Sequence, residues 1–182
     1  MAVFAIDQGA PVRCECAADA AVIEVLGAGR YEATFSGFME VTPEEELVLE
    51  DRAVIPLRIT GHETVGMGDG VGTIQVSHDF DRVAPLSELR QLSAESAFPA
   101  AQTMRVNILV RLGVLPGVTL RNIELGNLVN DGQLEFPPQD AYYDLQGPMD
   151  LEDVANPGVV VARILSYRAH INPAGGSTDH HL

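Results

Sequence analysis

Residues 103–112 read TMRVNILVRL, and this stretch decides the fold class. Every second side chain in it is apolar, in the order Met104, Val106, Ile108, Val110 and Leu112. Because successive side chains of an extended strand point to opposite faces, a period of two predicts a β-strand with one face turned to a core. We therefore expect these five side chains to be buried.

Further strands are predicted on both sides of this stretch. Residues 31–41, 53–60 and 71–78 alternate in the same way. Within the second run, Pro56 predicts an edge strand or a bulge, because proline cannot donate to a ladder. Residues 159–170 are apolar on both faces near their start, which predicts a central strand buried on both sides.

Turn chemistry separates these runs and sets the fold class. The reversal signals are Gly68-Asp69-Gly70, Pro116-Gly117 and Asn130-Asp131-Gly132. Residues 85–92 predict one short helix, since Pro85 suits a first turn and three leucines at positions 86, 89 and 92 form a stripe. Short strands at this spacing predict an all-β fold, an antiparallel sandwich or flattened barrel with one short helix.

A chain of 182 residues predicts one domain. We expect that β domain over residues 21–172. A lead segment with one possible strand precedes it at residues 1–20. A polar tail rich in glycine and serine follows it at residues 173–182.

Composition and charge exclude several partner classes. The hydrophobic fraction of 46% and the charged fraction of 20% are typical of globular proteins. A net charge of -15 argues against nucleic-acid and anionic-membrane partners, since both are negatively charged. No run of about 18 apolar residues predicts a membrane-spanning helix. All eleven basic residues are arginine, which excludes a Schiff-base or P-loop lysine.

The N-terminus and the two cysteines give an indication of the cellular compartment. The N-terminus lacks the basic region and long apolar run of a signal peptide, so we expect a cytoplasmic protein, with a form cleaved after export as the alternative. Cys14 and Cys16 are too close in sequence for good disulfide geometry, which suits a reducing compartment. Arginine-only, alanine-rich usage is associated with GC-rich bacterial genomes.

His78 and Asp79 are the first candidates for a catalytic site. They lie in the densest titratable cluster, His78-Asp79-Phe80-Asp81-Arg82, and His78 falls on the apolar face of its strand. A nearby carboxylate could orient the imidazole as a general base. The ordinary alternative, which we favour, is a core histidine at a strand end followed by solvated charges.

Arg163 and three tyrosines complete the candidate set. Arg163 interrupts the last apolar run, where it could clamp an anionic ligand or form a structural ion pair; the ion pair is the safer interpretation. Tyr142 and Tyr143 follow the rigid Phe136-Pro137-Pro138 loop and are candidate binding residues, as is Tyr167. Such loops more often simply cover an end of the core.

Metal-binding and cofactor-binding signals are weak. The Cys14-Glu15-Cys16 pair lacks the spacing of a zinc site, and His62-Glu63 and Asp179-His180-His181 are weaker still. The sequence contains no G-x-S-x-G, H-E-x-x-H, Walker or EF-hand motif. We therefore predict no metal and no cofactor.

The middle of the chain resembles an uncharacterised bacterial β-sandwich domain family. The resemblance rests on residues 68–74, on Ser96-Ala97-Phe98-Pro99-Ala100 leading into residues 104–108, on Thr119-Leu120-Arg121-Asn122, and on the Phe136-Pro137-Pro138 loop with Tyr142. It implies a β-sandwich and no particular activity. The family has an acidic residue near Phe98 where this chain has Pro99.

Two function classes follow. The first is a non-catalytic β domain that binds a partner or assembles with copies of itself, which predicts a packed core and an exposed edge or apolar patch. The second is a β-barrel that encloses a small apolar molecule, as a binding protein, cyclase or isomerase of a bacterial biosynthetic pathway. This second class predicts a cavity of roughly a few hundred Å³ lined by a few polar groups, with His78, Arg163 and Tyr167 as candidates.

Overall fold

A computed structural model describes residues 3–175, which form an all-β structure. No helix occurs among those residues, so none of them forms a helix long and apolar enough to cross a membrane. The strands are β1 (Val12–Val25), β2 (Gly29–Pro43), β3 (Leu47–Leu49), β4 (Arg52–Gly68), β5 (Gly72–His78), β6 (Ser87–Ser93), β7 (Ser96–Val106), β8 (Ile108–Leu112), β9 (Leu120–Asn122), β10 (Gly126–Gln133), β11 (Ala141–Leu145), β12 (Met149–Asp153), β13 (Asn156–Ser166) and β14 (Arg168–Pro173).

The strands close into one antiparallel barrel. β1, β2 and β4 are long strands that each run the length of the barrel. In the rest of the wall this length is covered by two short strands in succession: β5 and β6, β7 and β8, β9 and β10, β11 and β12, and β13 and β14. Each such two-strand segment hydrogen-bonds laterally to the segment before it, so the chain meanders up and down. Both β13 and β14 pair with β1, which joins the last strands to the first. The predicted fold class is confirmed, and the flattened barrel describes it better than the sandwich.

Alternation along the strands builds the core. The five apolar side chains of residues 103–112 are all buried, as predicted. Their neighbours on β1, β2 and β4 follow the same rule, with Ile23, Phe35 and Leu57 inside the barrel. Each buried aliphatic or aromatic side chain of this size contributes about 1.5–3 kcal/mol relative to leaving it in water.

The Asn122 side chain bridges two breaks in the barrel wall, the one between β7 and β8 and the one between β9 and β10. It is fully buried, and its Oδ1 accepts a hydrogen bond from the Ile108 N–H at 2.7 Å, just after the β7–β8 break at Asn107. Its Nδ2 donates to the carbonyls of Val106 at 3.1 Å and Glu124 at 2.7 Å. One amide side chain therefore satisfies backbone groups that the ladders leave unpaired.

The wall is interrupted beside β4. β4 pairs with β6 up to Leu57 and with β5 from Glu63, so residues 58–62 have no partner on that side within the described chain. Residues 79–86, which connect β5 to β6, lie at this gap and outside the ladder. The Arg82 guanidinium holds them by donating to the carbonyls of Asn122 and Ile123. We call this interruption the side gap.

Two sequence expectations need correction. The helix predicted at residues 85–92 is wrong: this stretch lies mainly in β6, where Ser87, Leu89 and Gln91 alternate inward and pair with β4 and β7. The last apolar run is two strands broken at Tyr167, and Val159 at its start is 53% exposed. β1 begins at Val12, within the segment of residues 1–20 where the sequence allows one strand. Residues 176–182 of the predicted tail lie outside the described residues.

Candidate functional site

The barrel encloses a narrow, mostly apolar cavity. The centre of a water-sized sphere can occupy about 70 Å³ of this cavity. This volume is smaller than the few hundred Å³ that the second function class predicts. None of the residues that line it is an aspartate, glutamate or arginine. Met39, Met104 and Met149 lie in the lining, and methionine side chains adapt readily to irregular shapes. The polar members of the lining are Cys14, Cys16, His62, Thr64, Gln102, Tyr143 and Tyr167.

Tyr143 anchors a hydrogen-bonded polar cluster on one part of the wall. Its hydroxyl lies 2.5 Å from Gln133 Oε1 and 2.9 Å from Gln102 Oε1. Because a phenol has one proton to donate, turning the Gln102 amide so that its NH₂ faces the phenol satisfies both contacts. Burial raises the pKa of Tyr143 well above its usual range, with Cys14 adding to the effect. Tyr143 is therefore a neutral group in the lining.

The two cysteines form a second polar region with Tyr167. Both thiols are free and buried, and Cys16 Sγ lies 3.8 Å from the Tyr167 hydroxyl. Burial, followed by the proximity of Cys16, raises the pKa of Cys14 to about 11. Burial also raises the pKa of Cys16. Protonated thiols are poor nucleophiles and poor zinc ligands, so these two residues act as small apolar groups at neutral pH.

His62 and His78 form a pair on the inner face at the side gap. The β4–β5 register pairs Glu63 with Ser77 and Thr64 with Val76, which places the two histidines opposite each other. His62 lines the cavity, and on the other side of His78 the next strand contributes Ile108, which also lines it. Neither Nδ1 atom has a hydrogen-bond partner among residues 3–175, although both atoms are buried.

The surroundings keep this pair uncharged. Burial, with a further effect from His78, lowers the pKa of His62 to about 4. Burial also lowers the pKa of His78, although the nearby Asp79 carboxylate opposes that change. The His78 ring packs edge-on against Phe80, with centroids 4.5 Å apart. At neutral pH each imidazole therefore offers one donor and one acceptor.

Asp79 stabilises the turn after β5. It is buried, and its N–H donates to the Asn107 carbonyl at 2.8 Å. Its Oδ1 accepts from the Asp81 N–H at 3.2 Å, and the Nδ1 atom of His78 has no hydrogen-bond partner within the described residues. The structure brings Asp79 near His78 without the contact that would orient a general base.

Arg163 and Tyr142 lie on the outside of the barrel. Arg163 lies between buried Ala162 and Ile164, so its side chain faces outward, where it binds Asp150 at 2.7 Å. Tyr142 is 45% exposed and stacks on His170, with ring centroids 4.6 Å apart. Of the six predicted site residues, Tyr143 and Tyr167 line the cavity, and His78 and Asp79 lie beside it.

Two polar residues of the lining were not predicted as cavity residues: the sequence offered His62 only as a weak metal-binding candidate, and it did not mark Gln102. A shift in the β2–β4 register lies between Glu40 and Val41, opposite Ile59 and Gly61. This shift moves His62 onto the inner face, whereas simple alternation from Leu57 would place it outside. A cue in the sequence is Gly61, because glycine within a strand often marks a bulge.

The described residues contain no group of three or more histidine, cysteine, aspartate or glutamate side chains that could hold a metal ion. The two inward histidines and two thiols lie on the same barrel wall without forming such a group.

Comparison with known proteins shows the fold. No protein-family model and no curated protein matches the chain, which leaves the resemblance to a β-sandwich family unsupported. The solved structure of DynF, from the dynemicin biosynthesis pathway of Micromonospora chersina, is similar, with a TM-score of 0.75 and 23% sequence identity. The similarity covers 92% of this chain and 82% of DynF.

Proposed function

We propose that the barrel binds a small, apolar, uncharged molecule in its interior. The observation that carries this proposal is an interior cavity whose lining is mostly apolar and, among the described residues, includes no aspartate, glutamate or arginine, while its histidine is held neutral by burial. A buried charge on a ligand would find no partner there, and this disfavours carboxylates and amines. The methionines allow the wall to adjust to a ligand larger than the present space.

Binding accounts for this interior better than catalysis does. The thiols and phenols of the lining are held protonated, and the one carboxylate near the histidine pair is engaged in a turn. Acid–base chemistry needs a group that exchanges protons near the working pH. DynF, a protein of this fold, comes from the dynemicin biosynthesis pathway, and this supports a role for the present chain as a binding protein in a bacterial biosynthetic pathway.

Binding can be tested with the neutral fluorescent probe N-phenyl-1-naphthylamine. We expect the protein to bind it with an increase in fluorescence, and Ala21→Leu to weaken binding by about tenfold or more, because Ala21 is fully buried and lines the cavity. Ala20→Leu adds the same volume on the exposed face and is the matched control. No binding by the unmodified chain, or equal binding by a folded Ala21→Leu variant, would contradict the proposal.

A second function, self-association, is favoured by the exposed strand β3. Leu47, Val48 and Leu49 are between 43% and 52% exposed, and β3 pairs only with β4 among the described residues. A short apolar strand with one open edge can pair with the same edge of a second copy about a two-fold axis. This is the kind of edge that the first function class predicts.

Analytical ultracentrifugation tests this second function. We expect a dimer at micromolar concentration, and Val48→Lys to shift it to monomer by placing a charge on the open edge. Val65→Lys is the control, since Val65 is 54% exposed but lies where β4 has strand partners on both sides. A monomer at about 100 µM for the unmodified chain, a concentration at which even micromolar affinity gives mostly dimer, contradicts it.

A further inference from the structure

We propose that His62 and His78 are the recognition pair of the cavity and bind a neutral hydroxyl or carbonyl group of the ligand. This inference rests on the proposed binding function and names the chemistry that the ligand must carry. It gives a role to the two polar side chains that the packing of the barrel leaves unsatisfied.

The position of the pair is the first argument. His62 and His78 are the residues next to Glu63 and Ser77, the last pair of the β4–β5 ladder, so they continue that register side by side and interact with each other. Side chains at such positions are close enough to share one small group. His62 belongs to the lining and is only 8% exposed, so its ring is directed into the barrel and away from bulk water. Both residues border the side gap: His78 ends β5, and His62 pairs with Met39 of β2 but lies just before the part of β4 that pairs with β5.

Unmet hydrogen bonding is the second argument. The buried Nδ1 atoms of His62 and His78 lack partners, whereas Tyr143 and Gln102 hydrogen-bond each other. A buried polar atom without a partner destabilises the folded state, and a ligand group that supplies the partner recovers that loss. His62 in the lining and His78 beside it therefore have unused hydrogen-bonding capacity.

The charge state selects the ligand chemistry. Two neutral imidazoles can both donate to and accept from one group, which matches a hydroxyl, and either can donate to a carbonyl oxygen. The lining offers no arginine to balance a carboxylate and no carboxylate to balance an amine. Asp79, whose carboxylate acts electrostatically on His78, accepts a hydrogen bond from the Asp81 N–H of its own turn.

A matched pair of probes tests the inference: naphthalene and 1-naphthol, which differ by one hydroxyl. A cavity without a hydrogen-bond partner favours naphthalene, because the hydroxyl must leave water. We expect the unmodified protein instead to bind 1-naphthol about tenfold more tightly or better, as measured by displacement of N-phenyl-1-naphthylamine. His62→Leu should remove this preference while naphthalene still binds.

Controls separate this inference from the proposed function. His170→Leu changes a histidine on the outer surface that stacks on Tyr142 and should keep the preference. His78→Leu should lower the preference and serves as the second variant if His62→Leu fails to fold. Binding of both probes with equal affinity, or a preference that survives both inner substitutions, overturns the recognition pair and leaves the binding barrel standing. If N-phenyl-1-naphthylamine binds but neither naphthalene nor 1-naphthol displaces it, the recognition pair is overturned and the binding barrel stands; if N-phenyl-1-naphthylamine itself does not bind, both proposals are overturned.

Discussion

Replacing Asn122 with leucine is expected to lower the free energy of unfolding by about 3–5 kcal/mol, because it leaves several buried backbone groups without hydrogen-bond partners. The Ile108 N–H loses its acceptor at 2.7 Å, and the Val106 and Glu124 carbonyls lose their shared donor. Asn122 is fully buried, so water cannot replace the amide. Urea unfolding followed by circular dichroism measures the change, and for a chain of this length the melting temperature should fall by about 10 °C.

Asn127→Leu is the matched control for this prediction. Asn127 is half-buried on β10, and its side chain makes a single long contact of 3.5 Å to the Leu125 carbonyl. We expect this change to lower the free energy of unfolding by less than about 1 kcal/mol. Similar losses for the two variants would show that Asn122 does not hold the strand breaks together.

Acidification is expected to destabilise the fold through the histidine pair, and mainly through His62. Its folded-state pKa is about 4, below the value of about 6.5 in an unfolded chain. Below pH 6.5 the unfolded state binds the proton more readily than the folded state does. The titration of His62 therefore leaves the free energy of unfolding unchanged above pH 6.5, where the full contribution to stability is present, and lowers it progressively between pH 6.5 and pH 4. A shift of this size corresponds to about 3 kcal/mol, and His78 acts in the same direction.

The measurement compares the free energy of unfolding at pH 7, 5.5 and 4.5 for the unmodified chain and for His62→Leu. The variant lacks the titrating group, so its stability should fall less over this range. Asp79 and His78 are present in both proteins, so the difference between the two pH profiles reports the titration of His62 together with its coupling to His78. Parallel pH profiles for the two proteins would show that burial of His62 does not resist protonation.

Period-two alternation accounts for most of what the sequence predicts correctly. Residues 103–112 determine their own inner face because each apolar side chain lowers the free energy only when it faces the core. The same rule placed Tyr143 in the lining and Tyr142 outside, although the sequence alone treated the two as equivalent candidates. Barrel closure was left open because pairing between β1 and the last strands is a long-range contact with no local signature.

The missed features depend on register and on contacts across the barrel. The leucine stripe at residues 86–92 fits a helix locally, but pairing of β6 with two neighbours determines the observed strand. His62 reaches the interior only because the β2–β4 register shifts beside it. Asn122 supports two strand breaks, and nothing in its own sequence neighbourhood marks the backbone groups that need it.

Arg163 shows why residue type alone is a weak guide to a site. An arginine within an apolar run suggested an anion clamp or a structural ion pair, and the alternation of β13 turns it outward to Asp150 and Glu24. Exposed ion pairs of this kind contribute about 0–1 kcal/mol. The chemistry of the interior instead depends on neutral groups, which are harder to recognise in a sequence.

Closure of the barrel also affects the folding rate and the order in which the strands dock. The contact between Cys16 and Tyr167 joins residues 151 positions apart, and β1 cannot complete its ladder until almost the whole chain has been arranged. Contacts of such long sequence separation slow the formation of a native state, because the entropy of closing a long loop is lost before the contacts form. We expect folding on a timescale of roughly milliseconds to seconds, with the first and last strands docking late.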